Sequence, residues 1–578
     1  TIRMIAGQFR IPGSNYLNME SFILESLHRM PNKKALLVVS DVAAYLPDVK
    51  LVHRDHLDGQ LFFLYDESIN IYLFYFKGGS QLMLNDTPVI NRQLYVFTPS
   101  SSISGSDIQT IYYNDIVRRY LYSKEHTRIN FIAESISFQF KNSINGIRPF
   151  SFKAYSGQLV AIIGGSGVGK STLMKLLNGM LPPCSGSIHI NGHDLYLDRD
   201  KLNHVIGYVP QNDLLIESLS VYHNLYYNAR LYMSHASEHE IVETVNHILT
   251  QLDLYDIRNM HVGTELVRII SGGERKRLNI ALELIREPSI LFLDEPTSGL
   301  SSIDAENIMH ILQDLTLQGR LVILTIHQPS SAIFRLFDQL IFMDKGGYPI
   351  FTGNTIDALR YFKRQANYID QDVFECKSCH NTHPELLFQI IEEKEINELG
   401  QQKGRRKRGP EQWYELYLKE TKPLQSKVEK EVLPEKVISE HDRWKQFIIQ
   451  AQRNIRSKMT DASYLLMMHL VTPVLAFILA FFCRYKVDIG DGTMNYVFSK
   501  NENIPAFILM SVIVAMFVGM ITSAEELFHD RGLRSREKYH GLSFVSYLNA
   551  KIIYLFFMSL YQSFAFVLVG NALLEIKG

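Results

Sequence analysis

The chain has 578 residues, 59 Lys and Arg against 60 Asp and Glu, and four cysteines. The length predicts several domains, and the balanced charge gives no global bias towards nucleic acid, which we exclude as a partner. Four cysteines are too few for a disulfide framework, so most of the chain is expected in a reducing compartment. The sequence starts at a threonine without a signal peptide, and we expect both ends to be cut.

The first part of the chain predicts two small regions. Residues 1–30 are expected to be the remnant of a helical domain, interrupted by Pro12-Gly13. Residues 31–125 alternate short apolar runs with turn residues, which predicts an all-β module, a small β-sandwich. Its turns at Gly78-Gly79-Ser80 and Leu84-Asn85-Asp86 resemble forkhead-associated domains, which read phosphopeptides, although the Ser-x-x-His loop of that family is absent. The alternative is a structural β module of unknown partner.

Residues 129–360 contain a glycine-rich loop between a strand and a helix. The apolar run Leu159–Ile163 precedes the loop, and a helical pattern follows it. The loop turns backbone N–H groups, and the positive end of the helix, towards a phosphate. We expect Lys170 to reach the β- and γ-phosphates and the Ser171 hydroxyl to bind Mg²⁺. The predicted nucleotide-binding loop is Gly164, Gly165, Ser166, Gly167, Val168, Gly169, Lys170, Ser171 and Thr172.

Three later motifs fit phosphate chemistry. A helix start offers exposed N–H groups to an anion at Ser271, Gly272, Gly273 and Glu274. After the apolar strand Ile290–Leu293, Asp294 suits a water-mediated contact with Mg²⁺, and Glu295 suits a base that orients water at the γ-phosphate. His327 directly follows the apolar run Leu321–Ile326 as the fourth motif in order, and is expected to be catalytic.

Two further residues complete the predicted site. Gln211 follows a short strand, where its amide oxygen can meet Mg²⁺ or the attacking water. Phe140 ends an alternating strand that precedes the glycine loop. Its ring either stacks on the adenine base or is an ordinary aromatic at a sheet edge.

Taken in this order, the motifs are identified as those of an ATP-binding cassette. The stretches Ser271–Arg277, Asp294–Leu300 and Thr325–Ser330 resemble the G subfamily of ABC transporters, the White-type half-transporters, in which the cassette precedes the membrane domain. The resemblance implies ATP and Mg²⁺ as cofactors and a second half-transporter chain, identical or different, as partner. It also implies that the partner's Ser271–Glu274 stretch closes over ATP held by this chain's Lys170, Ser171, Gln211, Asp294, Glu295 and His327.

One position departs from the family pattern. The family has Asp directly after Ser-Gly-Leu, whereas this chain has Ser301, with the next acid at Asp304. In the family that residue couples the two ATP sites of the dimer, so the departure puts this coupling in doubt.

A linker with a CxxC motif is predicted at 361–440. Thiolates and imidazoles at Cys376, Cys379, His380 and His383 suit Zn²⁺, and the alternative is a pair of reduced surface thiols. The basic run Gly404–Arg408 is expected in a flexible loop, either solvated or in contact with anionic lipid.

Residues 441–578 are expected to form part of a helical transmembrane domain. Tyr464–Cys483, Ile504–Ser523 and Ile552–Leu574 are each about the 20 residues that cross a bilayer. Lys and Arg concentrate before the first span and between the second and third, which places the cassette and the β module in the cytoplasm, at the plasma or cytoplasmic membrane. The stretch Glu525–Tyr539 has helical spacing, and in the resembled family it is a coupling helix. That family has six spans, so we expect about half of a membrane domain here.

The sequence therefore predicts a multidomain chain with a small all-β module, an α/β P-loop cassette and an α-helical membrane domain. Its predicted function is Mg²⁺-dependent ATP hydrolysis coupled to transmembrane movement of an unknown apolar or amphipathic substrate. The alternative is a membrane-anchored signalling or scaffold ATPase whose β module binds a partner.

Overall fold

The computed structural model describes residues 13–41, 49–66, 69, 71–85, 87–98, 101–105, 108, 110–121, 129–143, 145–233, 235–264, 267–368, 384–396, 402–421, 430–434, 442–488 and 494–575. The chain divides into two compact units, one formed by 1–211 with 288–434 and the other by 212–287 with 435–578. Each unit is described in turn.

The helices and strands are numbered in chain order. The helices are α1 (Gly13–Ile23), α2 (Tyr113–Leu121), α3 (Lys170–Leu177), α4 (Arg199–Leu202), α5 (Val221–Tyr232), α6 (Glu238–Gln251), α7 (Gly272–Leu284), α8 (Ser302–Leu317), α9 (Ser331–Phe334), α10 (Thr355–Gln365), α11 (Glu385–Ile391), α12 (Pro410–Glu420), α13 (Arg443–Thr460), α14 (Ala462–Cys483), α15 (Ile504–His529), α16 (Arg531–Tyr539) and α17 (Phe544–Leu574). The strands before the cassette are β1 (Leu36–Ser40), β2 (Lys50–His53), β3 (Gly59–Asp66), β4 (Ile71–Gly78), β5 (Leu82–Leu84), β6 (Thr87–Pro88), β7 (Tyr95–Phe97), β8 (Ser102–Gly105) and β9 (Ile111–Tyr112). The later strands are β10 (Asn130–Gln139), β11 (Gly146–Tyr155), β12 (Leu159–Gly164), β13 (Ser185–Ile190), β14 (His193–Asp194), β15 (Ile206–Val209), β16 (Ile290–Leu293), β17 (Leu321–Ile326), β18 (Gln339–Asp344), β19 (Tyr348–Gly353), β20 (Lys394–Ile396), β21 (Gln402–Arg406), β22 (Lys486–Asp488) and β23 (Met494–Tyr496).

The N-terminal part of the first unit is β-rich. One sheet has the order β2-β1-β3-β4-β7 and the other the order β6-β5-β8-β9. Side chains of both sheets, such as Phe63, Phe97 and Ile103, share one buried apolar cluster. The β-rich fold predicted for this region is confirmed. Helix α1 is part of the same packing, because its buried Phe22 ring lies 4.9 Å from the ring of Tyr75 in β4.

The β-rich module also contacts the cassette helix α8. Leu317, the last residue of α8, packs against the module's apolar cluster, and helix α2 of the module lies beside α8. Helix α8 is the helix that begins after Ser301, the position at which the sequence departs from the G subfamily. The module therefore contacts the helix that leads away from this position.

The cassette core of the first unit is a sheet with the order β15-β16-β17-β12-β18-β19. Strands β15, β16, β17, β12 and β18 are mutually parallel, and β19 is antiparallel at the edge. Strands β12, β16 and β17 are buried along their whole length, which explains their continuous apolar sequence. A second, antiparallel sheet has the order β11-β10-β13-β14 and shares the main core. The α/β fold predicted for the cassette is confirmed.

The basic run Gly404–Arg408 differs from the flexible loop that we expected. Its first part lies in β21, which pairs with β20 in a two-stranded sheet. Arg406 Nη1 lies 2.8 Å from Asp344 Oδ1, and Lys407 Nζ lies 3.1 Å from Glu393 Oε1. The guanidinium of Arg408 stands over the Trp413 ring. These three basic side chains are held by partners in the same unit, which the composition of the run alone does not reveal.

The second unit contains helices α5–α7 and the C-terminal helices α13–α17. Among the residues that the structure describes, three segments are long and apolar enough to cross a membrane, namely Tyr464–Cys483, Ile504–Ala524 and Phe544–Leu574. The predicted helical membrane domain is confirmed, but the third helix starts earlier than Ile552. Lys551, directly before the predicted start, is buried, and its Nζ lies 2.6 Å from Glu526 Oε2. Its charge is therefore paired, and the helix continues through it.

Candidate functional site

The predicted catalytic residues follow neighbouring strands of the cassette sheet. Gln211 follows β15, Asp294 and Glu295 follow β16, His327 follows β17, and the glycine loop follows β12. These four strands are adjacent and parallel, so their carboxyl ends meet at one edge of the sheet. This edge is the usual ligand-binding position in an open α/β sheet. Residues that are more than a hundred positions apart in sequence are thereby brought together.

The glycine loop has the backbone that its sequence predicts. Gly167 and Gly169 have φ angles of 73° and 106°, a region that L side chains rarely adopt. A Cβ atom at Gly164 would lie 2.3 Å from the Met343 carbonyl oxygen, so this position also excludes a side chain. Ser166 and Gly167 are exposed at the tip, whereas Val168 is buried in the core and anchors the loop.

Lys170 at the start of α3 is buried and folds back on the loop. Its Nζ donates hydrogen bonds to the Gly164 and Gly165 carbonyl oxygens at 2.9 and 2.8 Å. Burial lowers the pKa of this ammonium group, against the opposing effect of the Glu295 and Asp294 carboxylates. The contacts hold the ammonium group at the loop, where a phosphate oxygen can replace the carbonyl oxygens as its acceptor.

Ser171 and Asp294 meet beside the loop. The Ser171 hydroxyl donates to Asp294 Oδ1 at 3.2 Å, and Asp294 is almost fully buried. A hydroxyl and a carboxylate at this distance are oxygen ligands of the kind that Mg²⁺ accepts, directly or through water. Thr172, on the same helical turn, is half-buried. The donor set therefore fits the predicted Mg²⁺ position.

Thr325 in β17, for which the sequence motifs predict no role, links the two acidic residues. Its hydroxyl donates to Asp294 Oδ1 at 2.7 Å and accepts the Glu295 N–H at 2.8 Å. The Glu295 backbone has φ +49°, a left-handed conformation that is uncommon for a residue with a side chain. The signal that could have identified Thr325 is a single hydroxyl in an otherwise apolar buried strand, two residues before His327.

We expect Thr325→Val to lower the rate of ATP hydrolysis about tenfold, because the Asp294 carboxylate loses a buried donor and the Glu295 N–H loses its acceptor. Thr316→Val is a matched control. Thr316 is also buried, but its hydroxyl donates to the Gln313 carbonyl oxygen at the end of α8. Steady-state hydrolysis rates and thermal unfolding of both variants check the prediction. Equal losses of activity in the two variants would mean that Thr325 contributes only to folding.

Gln211 and Glu295 are in direct contact. The Gln211 side-chain amide donates to Glu295 Oε2 at 2.9 Å, across the gap between the ends of β15 and β16. Glu295 is half-buried, so its carboxylate remains within reach of solvent. An amide and a carboxylate in contact at the sheet edge can orient a water molecule between them and a bound nucleotide.

The described contacts do not join His327 or Phe140 to the acidic residues of the site. His327 is exposed one residue beyond the end of β17. Phe140 follows β10, is 44% exposed, and its ring lies 4.9 Å from that of Phe138. The chain after Phe140 leads into β11, which contains Ile147. A Cβ atom at Gly169 of the glycine loop would lie 3.0 Å from Ile147. The sheet that carries Phe140 therefore adjoins the glycine loop, while the ring itself is open.

The Ser271–Glu274 motif forms the N-terminus of α7 in the second unit. The Ser271 hydroxyl accepts the Glu274 N–H at 3.2 Å, and Glu274 Oε2 accepts the Ser271 N–H at 2.7 Å, which is a capping box. The N–H groups of Gly272 and Gly273 lie in the first turn, where an α-helix provides no internal acceptor. The start of the helix therefore has the form of an anion site, as the sequence predicts.

Asp213 fixes α7 in place. Its carboxylate lies 3.2 Å from Arg275 Nε and 3.1 Å from Lys276 Nζ, and it accepts a hydrogen bond from Asn279 Nδ2 at 2.7 Å. Arg275 is buried and also donates to the Gly263 carbonyl oxygen at 2.9 Å. Asp213, which lies two positions after Gln211, therefore holds the first turns of α7, the helix that Ser271 caps.

Ser301 is the N-cap of α8. Its hydroxyl accepts the Asp304 N–H at 3.2 Å and donates to Asp304 Oδ2 at 2.8 Å. Ser and Asp are about equally good N-cap residues, so serine preserves the start of this helix although it removes a charge. The predicted zinc ligands Cys376, Cys379, His380 and His383 lie outside the described residues.

Two family models match the chain, one over most of the cassette motifs and one over the apolar spans. Residues 147–298 match the family described as "ABC transporter", and residues 445–577 match the family described as "ABC-2 type transporter". The chain therefore contains an ABC transporter cassette followed by a membrane region of the ABC-2 type. A "Probable ATP-dependent permease" of Saccharomyces cerevisiae is 36% identical over 269 residues, which cover 45% of this chain and 25% of that protein.

Two further relatives carry G-family names. "ABC transporter G family member 26" of Arabidopsis thaliana is 40% identical over 210 residues, which cover 36% of this chain and 30% of that protein. "Broad substrate specificity ATP-binding cassette transporter ABCG2" of Sus scrofa is 39% identical over 235 residues, which cover 40% of this chain and 34% of that protein. The alignments with this ABC transporter chain therefore span about a quarter to a third of each relative.

Proposed function

We propose that this ABC transporter chain binds and hydrolyses ATP with Mg²⁺ and uses the reaction to move a substrate across a membrane. The observation that carries the proposal is the convergence of Lys170, Ser171, Asp294, Glu295 and Gln211 at one edge of the cassette sheet, with the direct contacts Ser171–Asp294 and Gln211–Glu295. The apolar helices of the second unit provide a place for the moved substrate.

Each residue has a distinct task in this proposal. The Lys170 ammonium group exchanges its two carbonyl acceptors for β- and γ-phosphate oxygens, and the loop N–H groups hold the same phosphates. Ser171 and Asp294 hold Mg²⁺, which neutralises charge on the phosphates when it is bound. Glu295 and Gln211 orient the attacking water, and Glu295 accepts its proton. His327 contributes a further polar group at the γ-phosphate, and Phe140 stacks on the adenine ring.

The proposed partner is a second half-transporter chain, either a copy of this one or a different one. One chain has one glycine loop and one Ser271–Glu274 helix start. In the G-subfamily arrangement the helix start of each chain covers the ATP bound by the other, so a pair of chains forms two complete sites. The helix dipole of α7 would then face the γ-phosphate.

Hydrolysis in reconstituted membranes tests the proposal. The chain in lipid nanodiscs is expected to release phosphate from ATP only with Mg²⁺, and Lys170→Ala is expected to lower that rate by about 10³-fold because the phosphates lose their cation. Phosphate release that is independent of Mg²⁺, or equal in Lys170→Ala, would contradict it. A stimulation of the rate by an apolar or amphipathic compound favours transport over a scaffold role.

The proposed orientation places the cassette and the β module in the cytoplasm. Basic residues flank the membrane spans unevenly, with Arg531, Arg534, Arg536 and Lys538 in the stretch between the second and third spans.

Arg536 and Glu537 of this stretch lie in α16, and the side chain of His540, which follows that helix, is buried against Glu283 and Arg286 of the same unit. His540, Arg536 and Arg286 hold the pKa of Glu283 at about 2 although its burial alone would raise it.

We expect single cysteines placed between Arg484 and Lys500 to react with a membrane-impermeant maleimide on intact cells. Cysteines placed between Arg531 and Lys538 are expected to react only after permeabilisation. The measurement uses a chain whose four native cysteines are replaced by serine. The opposite labelling pattern would reverse the proposed orientation. Zinc at Cys376, Cys379, His380 and His383, and phosphopeptide binding by the β module, stay predictions.

A further inference from the structure

A cavity of about 830 Å³ lies in the second unit, where the segment after Gln211 meets the helices next to the membrane spans. One wall is formed by residues 213–218, and the opposite walls by α13, the start of α14, α16 and α17. The volume is within the range of ligand-binding pockets. The cavity is separate from the residues to which we assign nucleotide chemistry, and it reaches Tyr464 and Met467 in the first span.

The lysine and arginine side chains that line the cavity are already paired with carboxylates. Lys551 Nζ lies 2.6 Å from Glu526 Oε2 and 2.8 Å from Asp530 Oδ2. Lys458 also pairs with Glu526, and Arg453 Nη1 lies 2.6 Å from Glu537 Oε1. An anionic ligand would have to displace one of these carboxylates and leave it buried without a partner, which is strongly unfavourable. The cavity is therefore unsuited to an anion.

Two side-chain amides at the cavity wall have atoms without a hydrogen-bond partner among the described residues. Gln450 is 2% exposed, and neither its amide nitrogen nor its amide oxygen has a hydrogen-bond partner among the residues that the structure describes. Asn454, one turn further along α13, accepts the Lys551 ammonium at 2.9 Å, but its amide nitrogen has no partner in the same part of the chain. A buried amide group without a partner is unfavourable, so these two side chains favour an occupant with hydrogen-bonding groups.

Part of the lining is apolar. Leu214, Ile216, Leu533 and Ala550 lie around the same cavity. The unpartnered groups comprise two amide NH2 groups and one oxygen acceptor, and a carbonyl and a hydroxyl together offer each of them a partner. We propose that the cavity binds an uncharged amphiphile whose polar end carries hydroxyl and carbonyl groups, with this end at Gln450 and Asn454 and its apolar part along the wall that leads to the first span. A neutral monoacylglycerol has this chemistry.

A photoreactive monoacylglycerol with a diazirine in its acyl chain tests the proposal. The full chain in lipid nanodiscs is irradiated with the probe, digested and analysed by mass spectrometry. We expect cross-links in the peptide that contains residues 214–218, which is part of the cavity wall but of none of the three candidate spans, and we expect excess unlabelled monoolein to remove them. A photoreactive fatty acid with the same chain, which is anionic, is expected to leave this peptide unlabelled because the cavity has no unpaired cation.

Gln450→Leu is expected to reduce labelling of this peptide about tenfold, and it should not impair folding because it removes an unpartnered buried amide. Gln452→Leu is the matched control on the same helix, since Gln452 is exposed and its amide oxygen already accepts a hydrogen bond from Arg230 at 2.7 Å. Labelling confined to the apolar helices, or unchanged in Gln450→Leu, would mean that the cavity holds only water. Equal labelling by the fatty acid would overturn the uncharged ligand class.

Discussion

The variant Glu295→Gln should bind ATP with nearly normal affinity but hydrolyse it about 10³-fold more slowly than the parent chain. The carboxamide has the shape of the carboxylate and can still contact the Gln211 amide, which lies 2.9 Å from Glu295 Oε2. It cannot accept a proton from the attacking water. The Glu295 N–H still has its acceptor in the Thr325 hydroxyl, so the left-handed backbone at this position should persist.

The measurement compares nucleotide binding with single-turnover hydrolysis in the same preparation. Glu306→Gln is the matched control, because Glu306 lies in the nearby helix α8 and has no role in the proposed mechanism. The control should hydrolyse ATP at the parent rate. If Glu295→Gln also retains the parent rate, another group accepts the proton, and the proposed role of Glu295 is wrong.

The local part of the site could be predicted from sequence. A strand, a glycine loop and a helix occupy consecutive residues, so the backbone of Gly167 and Gly169 follows from spacing and from the conformations that only glycine adopts easily. The same holds for the cap at Ser271, which depends on two residues three positions apart. The order of the strands, which brings Gln211 to Glu295, required the resemblance to a known family.

Contacts between distant residues were not accessible in this way. Thr325 contacts Asp294 and the Glu295 N–H only because β16 and β17 are neighbours in the sheet, and no spacing rule indicates this. The third span predicted from sequence begins at Ile552, directly after Lys551, and a lone charge is costly in lipid. Lys551 pairs with Glu526, which lies in α15, and with Asp530, which directly follows that helix. These two carboxylates allow α17 to continue through Lys551.

The basic run before α12 shows the same limit. Composition alone indicates a solvated loop for Arg406, whereas the fold provides Asp344 and Glu392 as carboxylate partners. Asp344 ends a core strand 62 residues earlier, so the pairing depends on tertiary structure. Ser301 illustrates the converse case, because a residue that departs from the family pattern still fulfils a local structural task as the cap of α8.

Mixing two inactive variants should restore hydrolysis if two copies of this chain form composite sites. Ser271→Arg places a long cation at the helix start that would cover the partner's ATP, and Lys170→Ala removes the phosphate-binding ammonium group. Each variant alone should be inactive, because every site then contains a lesion. In a mixed dimer both lesions fall on one site and the other site is intact. A random equal mixture should therefore regain about a quarter of the parent rate.

Ser237→Arg is a matched control for the loss of a helix cap. Ser237 caps α6 with the same capping box, since its N–H donates to Glu240 Oε2 at 2.7 Å and its hydroxyl accepts the Glu240 N–H. Loss of such a cap costs about 1 kcal/mol, and Ser237→Arg should keep most of the parent activity. Activity lost to the same degree in Ser237→Arg would assign the Ser271 effect to helix stability.

The concentration dependence separates the remaining arrangements. Composite sites predict that the hydrolysis rate per chain rises with chain concentration when the chains are diluted below their dimer affinity, and that ATP promotes the dimer in sedimentation. Rescue to one quarter of the parent rate would show that one intact site works alone, whereas a lower rescue would show that the two sites depend on each other despite Ser301. A rate strictly proportional to chain concentration, with no rescue and no dimer, would mean that each copy of this chain completes its own site or requires a different partner chain.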